Sequence, residues 1–164
     1  MPERDYVGDV LQVSYTGIFD FDGLYKMLAQ WFKIRGYGFR ESDYKEFKEG
    51  GVKKLQVKWA ARRKATDYVL YVMEITLQLD NIADVLVKNR KRMSGHLSIT
   101  VAGYIEKDYE ETFSRTSFLK FLREVYDKFV AGSRLQEMQN ELLKDLQTFR
   151  NDIKTFLNLQ KIGK

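Results

Sequence analysis

The sequence of 164 residues contains no cysteine, a single histidine and a single proline. Without cysteine the chain can form no disulfide, no thiolate metal site and no thiol nucleophile. The single histidine also excludes every metal motif that needs two histidines. We therefore expect no metal and no other cofactor. We expect a fold held together by its apolar core, for which a chain of this length is sufficient.

The sequence also lacks long apolar runs. Three of the first five residues are charged, where a secretory signal peptide would be apolar. No stretch reaches the roughly 18 consecutive apolar residues that a membrane-spanning helix needs. The absence of cysteine fits a reducing compartment. Together these features predict a soluble cytoplasmic protein that does not span a membrane.

In the first quarter of the chain the apolar residues change from the spacing of a strand to that of a helix. Residues 9–19 alternate between apolar and polar side chains, which is typical of a strand. A helical stripe follows, with Asp20 or Asp22 as its cap and Gly36 placed to end it. The apolar face of this helix comprises Leu24, Met27, Leu28, Trp31 and Ile34.

From residue 37 to about residue 108 the spacing is again that of strands. Gly50 and Gly51 mark one hairpin turn, and residues 63–65 mark the next. Residues 81–88 fit either a strand or a loop. The apolar side chains that alternation places on the inner face are Leu55, Val57, Trp59, Ala61, Val69, Tyr71, Met73, Ile75, Leu77, Leu79, Leu97, Ile99, Val101 and Ile105.

Two helices close the predicted fold. The first has an apolar stripe from Phe118 to Phe129 and stops at Gly132. Ser133 then begins a longer helix whose apolar residues recur about every 3.5 residues. The element order is thus β-α-β-β-β-β-α-α. It predicts an α+β fold, a curved antiparallel sheet with helices on one face and a long C-terminal helix.

We divide the chain into an α+β core domain, residues 1–132, and an amphipathic helix, residues 133–164, packed on that core or on a partner subunit. The element order resembles that of the helix-grip group, the START-like domains. This resemblance implies a cavity between the sheet and the long helix that binds a small apolar ligand. The candidate lining residues are Trp31, Trp59, Tyr71, Met73 and Phe129.

A second resemblance rests on residues rather than on element order. The string from Tyr15 to Tyr25, followed by Trp31-Phe32 and by Gly36 to Phe39, is similar to a pattern in small uncharacterised archaeal proteins. The similarity extends over most of the chain. It implies no activity, so the function has to be inferred from candidate sites.

One candidate site resembles the first motif of the haloacid-dehalogenase phosphatases, an apolar strand that ends in Asp-x-Asp. The resemblance implies Asp20 as nucleophile and Asp22 as general acid/base, with Asp80 and Asp84 as a distal acidic motif. That family, however, needs alternating strands and helices, and Leu24 stands where it usually has threonine. A helix cap explains both aspartates equally well, so we favour a protein that is not an enzyme.

A second candidate is a basic surface. Residues 53–64 carry six basic side chains and residues 88–92 carry four, and without these ten the chain has 18 basic against 23 acidic residues. Such a strand could bind nucleic acid through phosphates, with Tyr68 and Tyr104 stacking on bases. The two basic runs are expected at opposite ends of the sheet. The candidate contacts are Lys54, Lys58, Arg62, Arg63 and Lys64.

The hypothesis that we favour from sequence is a protein that self-associates or binds another protein. The stripe of the last helix restarts after Gly132, and the preceding helix already offers residues to cover the sheet. Three apolar side chains also fall together on the outward face of a strand, where an exposed cluster would mark a contact surface. The candidate partner-binding residues are Tyr68, Leu70, Val72, Leu135, Met138, Leu142 and Phe149.

Overall fold

A computed structural model describes residues 3–66, 68–107, 121 and 132–162. The predicted helix from Phe118 to Phe129 lies outside these residues, apart from the single residue 121. The elements in chain order are β1 (Glu3–Phe19), α1 (Phe21–Ile34), β2 (Gly38–Glu49), β3 (Val52–Lys64), β4 (Val69–Val87), β5 (Arg90–Lys107) and α2 (Gly132–Ile162).

The five strands form one antiparallel sheet in the order β1-β5-β4-β3-β2. The alternating residues predicted to face inward are buried in one core. Both helices contribute to that core, so they cover the same face of the sheet. The predicted α+β fold with an antiparallel sheet and a long C-terminal helix is confirmed.

Helix α1 begins and ends where its sequence indicates. The side chain of Asp20 accepts a hydrogen bond of 3.0 Å from the backbone N–H of Gly23, which satisfies one of the free donors of the first turn. At the other end Gly36 adopts a φ of 80°, the left-handed conformation that favours glycine. Ile34, predicted on the apolar face, is 70% exposed at the last residue of the helix.

The connections on either side of β4 differ in part from the predicted ones. β3 continues to Lys64, past the start of the turn predicted at residues 63–65, and the N–H groups of Ala65 and Thr66 then both donate to the carbonyl of Val69. Residues 81–87, which the sequence left open, continue β4 after an irregularity between Asp80 and Ala83.

Helix α2 lies on the sheet over β1 and β5. At about 1.5 Å per residue its 31 residues span about 46 Å. A Cβ atom on Gly103 would lie 2.6 Å from Leu146 Cδ1, and one on Gly8 would lie 2.9 Å from Leu143 Cδ1. Glycines at these two positions therefore allow the helix to approach the sheet closely. The helix residues fully buried there are Leu142, Leu146, Phe149, Ile153 and Leu157.

In the described part of the chain, no helix has the length and apolar character that crossing a membrane requires.

Candidate functional site

The three residues predicted to form an exposed apolar patch are buried. Tyr68, Leu70 and Val72 are 5%, 7% and 1% exposed. Leu70 and Val72 form a second, small cluster with Tyr104 on the outer face of the sheet. The prediction of an exposed patch is therefore wrong, because alternation assigns a side chain to a face but does not reveal whether that face is covered.

The candidate partner-binding residues of α2 also face the protein's own core. Leu142 and Phe149 have no exposed surface, while Leu135 and Met138 are half-buried and pack against the core. This is the usual arrangement for an amphipathic helix next to a sheet. The residues that the sequence assigned to a partner thus bind the helix to the sheet.

The candidate pocket residues that the structure describes are buried in the core. Trp31, Trp59, Tyr71 and Met73 are at most 4% exposed, and Phe129 lies outside the described residues. The ring centroid of Trp31 is 4.8 Å from that of Phe149, edge to face. Contacts of this kind are typical of a close-packed core rather than of a lining that faces an open cavity.

The candidate nucleic-acid contacts on β3 are divided between the two faces of the sheet. Lys54, Lys58, Arg62 and Lys64 lie on the outer face, since they alternate with buried residues. Carboxylates lie next to two of them, since Lys54 is 3.3 Å from Glu49 and Arg62 is 3.9 Å from Glu106. Tyr68 and Tyr104, expected to stack on bases, are buried.

Arg63 points to the inner face and joins the sheet to α2. Its guanidinium lies 5.1 Å from the ring centroid of Tyr37 and 5.0 Å from that of Tyr71. It donates to Glu141 at 2.7 Å and to the carbonyl oxygen of Arg35 at 3.3 Å. We call Arg63, Tyr37, Tyr71, Glu141 and Asp145 the arginine clamp. An arginine so fully bonded within the protein is not available to phosphate.

The tyrosines of the arginine clamp bond to carboxylates of α2. Tyr37 donates to Asp145 at 2.8 Å, and Tyr71 donates to Glu141 at 2.9 Å. Burial, followed by the neighbouring carboxylates, raises the pKa of both hydroxyls far above the usual tyrosine value. Both tyrosines therefore stay neutral donors at physiological pH.

The two aspartates after β1 lie at the start of α1. Asp20 is the cap of α1 and lies 3.8 Å from Arg92. Asp22 and Asp84 do line one small cavity of about 80 Å³, together with Lys91 and Arg92. Across residues 3–66, 68–107, 121 and 132–162 there is no cluster of three or more acidic or histidine side chains able to hold a metal ion.

The two edge strands of the sheet differ sharply in charge. β2 carries seven charged residues among its twelve, the usual protection of an edge against further strand pairing. In β1 the four charged residues all lie between Glu3 and Asp9, and the ten residues from Val10 to Phe19 carry no charge. Among the described residues β1 pairs with β5 alone. No other described strand therefore pairs with its outer edge, and that edge lacks the charged side chains that protect β2.

A groove runs beside this uncharged edge. It has a volume of about 220 Å³ and lies between β1 and the C-terminal half of α2. On the other face of the sheet Gln12, Ser14 and Thr16 are exposed, and Val10 is 61% exposed. The groove is lined by Gln12, Val13, Ser14, Tyr15, Lys154, Leu157 and Asn158.

We call residues 10–19 of β1 the uncharged edge and treat it as the candidate site. Local patterns in the sequence do not identify this site. The sequence shows that ten consecutive residues carry no charge. It does not show that β1 lies at the edge of the sheet, because that position depends on strand pairings that no local pattern reveals.

No protein-family model and no curated protein matches the chain. Among solved structures, an uncharacterised protein from Rhizobium leguminosarum is 12% identical, with a TM-score of 0.20 and an alignment that covers 96% of this chain and 98% of that one. Similarity at this level carries no argument about function.

Proposed function

We propose that this protein is a non-catalytic interaction protein that self-associates by strand addition, with the uncharged edge of one copy pairing with that of a second. The observation that carries the proposal is the contrast between the edges, seven charges on β2 against none from Val10 to Phe19 on β1. Strand addition supplies affinity through backbone hydrogen bonds, which an unprotected edge offers. We keep the interaction function inferred from sequence but assign it to a different surface, the outer edge of β1.

A second copy suits this edge because the edge is complementary to itself. Antiparallel pairing about a two-fold axis at Ser14 sets Ser14 opposite Ser14 of the second copy and Gln12 opposite its Thr16. The same register sets Val10 opposite Ile18. Polar residues thus face polar residues, apolar residues face apolar ones, and no charge meets another.

The alternative small-ligand function has less support, because the described residues named for its pocket are buried in the core. An extended segment of a different protein could occupy the same edge. Self-pairing is preferred because the register about Ser14 uses residues 10–18, nine of the ten uncharged residues, and needs no further partner.

Sedimentation velocity over a concentration series of the full chain tests the proposal. We expect a reversible dimer, which Ser14→Lys/Thr16→Lys weakens by about tenfold because it places like charges on both sides of the two-fold axis. Salt at about 1 M shortens the Debye length to about 3 Å and should restore much of the lost affinity.

The matched control is Thr76→Lys/Gln78→Lys, which adds the same charge to the outer face on β4, two strands away from the edge. This variant should dimerise like the unaltered protein. A protein that stays monomeric at every concentration would overturn the proposal, as would equal weakening by the two double variants. Circular dichroism confirms that each variant keeps its fold.

A further inference from the structure

The hairpin between β4 and β5 extends beyond the strands on either side of it. Pairing of β3 with β4 ends at Leu55 and Leu79, and pairing of β1 with β5 ends at Phe19 and Met93. The pairs from Val85 with Arg92 to Val87 with Arg90 continue past both limits. We call residues 83–92 the β-arm. Beyond Asp84 it is a two-stranded ribbon with which no other described strand pairs.

The tip of the β-arm concentrates positive charge that the protein does not neutralise. Lys88, Arg90 and Lys91 are exposed, and none of the ion pairs among the described residues involves them. Arg92 differs, since its guanidinium lies 3.8 Å from the carboxylate of Asp20, the cap of α1. It therefore connects the base of the arm to the start of α1. Three unpaired cations therefore surround one turn.

The turn itself holds a lysine in a backbone conformation that lysine rarely adopts. Lys88 and Asn89 have φ values of 52° and 64°, so both central residues are left-handed, as a two-residue turn that matches the strand twist requires. Asparagine and glycine suit such positions, whereas lysine does not. A lysine held at the most protruding point of the ribbon is consistent with a role for its charge.

We propose that the β-arm binds double-stranded nucleic acid, entering a groove and contacting backbone phosphates through Lys88, Arg90 and Lys91. A two-stranded ribbon is narrow enough for the major groove of B-form DNA. Phosphate contacts by lysine and arginine give affinity without reading sequence. An anionic membrane is disfavoured, because Leu86, 76% exposed, is the arm's one strongly exposed apolar side chain, whereas membrane-surface elements bury an apolar face.

Fluorescence anisotropy of a labelled duplex of about 20 base pairs tests the proposal, with the full chain titrated at several salt concentrations between about 50 and 200 mM. We expect binding that weakens steeply with salt. The variant Lys88→Gln/Arg90→Gln/Lys91→Gln should bind at least about tenfold more weakly at the lowest salt. Its slope of log affinity against log salt should be shallower by about 2.7, which is 0.9 for each lost phosphate contact.

A second triple variant and a vesicle-binding measurement serve as controls. Lys54→Gln/Lys58→Gln/Arg62→Gln removes the same charge from the outer face of β3, so it separates the β-arm from a general effect of net charge. We expect this variant to keep the affinity and the slope of the unaltered protein. Equal losses in the two triple variants would overturn the proposal, as would binding to vesicles of phosphatidylserine without binding to the duplex.

Discussion

At the scale of single residues, Tyr71 shows how the arginine clamp holds α2 on the sheet. Its hydroxyl donates to Glu141 at 2.9 Å, and burial and that carboxylate raise its pKa above the usual tyrosine value. In the unfolded chain the hydroxyl ionises near pH 10. The folded protein keeps a proton that the unfolded chain releases, so this stabilisation is complete below about pH 10 and is lost as the pH rises further.

We therefore expect Tyr71→Phe to lower the free energy of unfolding by about 1–2 kcal/mol near pH 7, where the bond to a charged acceptor is intact. Because phenylalanine cannot ionise, the difference in free energy of unfolding between the unaltered protein and the variant should shrink above about pH 10, by up to about 1.4 kcal/mol per pH unit. Urea denaturation at several pH values measures both effects.

Tyr44→Phe is the control, since Tyr44 is 52% exposed and has no part in the arginine clamp. A deficit at Tyr71→Phe that stays the same from neutral to alkaline pH would contradict this account of the clamp.

At the scale of elements, α2 is a structural part of the core. Phe149 has no exposed surface, and its ring stacks on Phe32 at 5.1 Å and meets Trp31 edge to face. We expect Phe149→Ala to lower the free energy of unfolding by about 3–5 kcal/mol, because it removes a large buried ring and leaves a cavity. Thermal and urea denaturation measure the loss.

Leu159→Ala on the same helix is the control, because Leu159 is 58% exposed and we expect a change within about 0.5 kcal/mol. If Phe149→Ala instead left stability unchanged and dissociated an oligomer, the sequence-based assignment of Phe149 to a partner surface would be right.

Alternation along the strands was enough to predict which side chains of β3, β4 and β5 face the core. It could not predict burial on the outer face, where Leu70 and Val72 proved to be covered. Nor could it predict that Arg63, one of three consecutive basic residues, turns inward to meet Glu141 on α2. That contact spans 78 residues of sequence, and local spacing carries no information about it.

The candidate site was beyond sequence reasoning for the same reason. An uncharged strand is unremarkable in the middle of a sheet and becomes an interaction surface only at its edge. The position of β1 depends on its pairing with β5, whose residues lie more than 70 positions away, as with Phe19 and Met93. The β-arm likewise follows from where neighbouring strands stop, and this again is a property of the sheet rather than of residues 83–92 alone.

At the scale of the whole molecule, the uncharged edge and the β-arm are separate surfaces of one sheet. Ser14 pairs with Ser98 of β5 in the strand register. About ten residues of β5 separate Ser98 from the turn at residues 88–89. At about 3.3 Å per residue this is a distance of about 30 Å. A two-fold axis at Ser14 reverses the strand direction in the second copy. The two arms of the proposed dimer therefore point in opposite directions, with tips about 60 Å apart.

This geometry predicts that a dimer bridges two duplexes rather than gripping one. Mixing duplexes labelled with a donor dye and with an acceptor dye should give energy transfer or joint sedimentation when the unaltered protein is added at low salt. Ser14→Lys/Thr16→Lys should still bind each duplex, since its β-arm is intact, but should bridge far fewer of them because the edge no longer pairs. Lys88→Gln/Arg90→Gln/Lys91→Gln should still dimerise but should bind, and therefore bridge, the duplexes far more weakly. If Ser14→Lys/Thr16→Lys bridged duplexes as well as the unaltered protein does, the two arms would not be joined through β1.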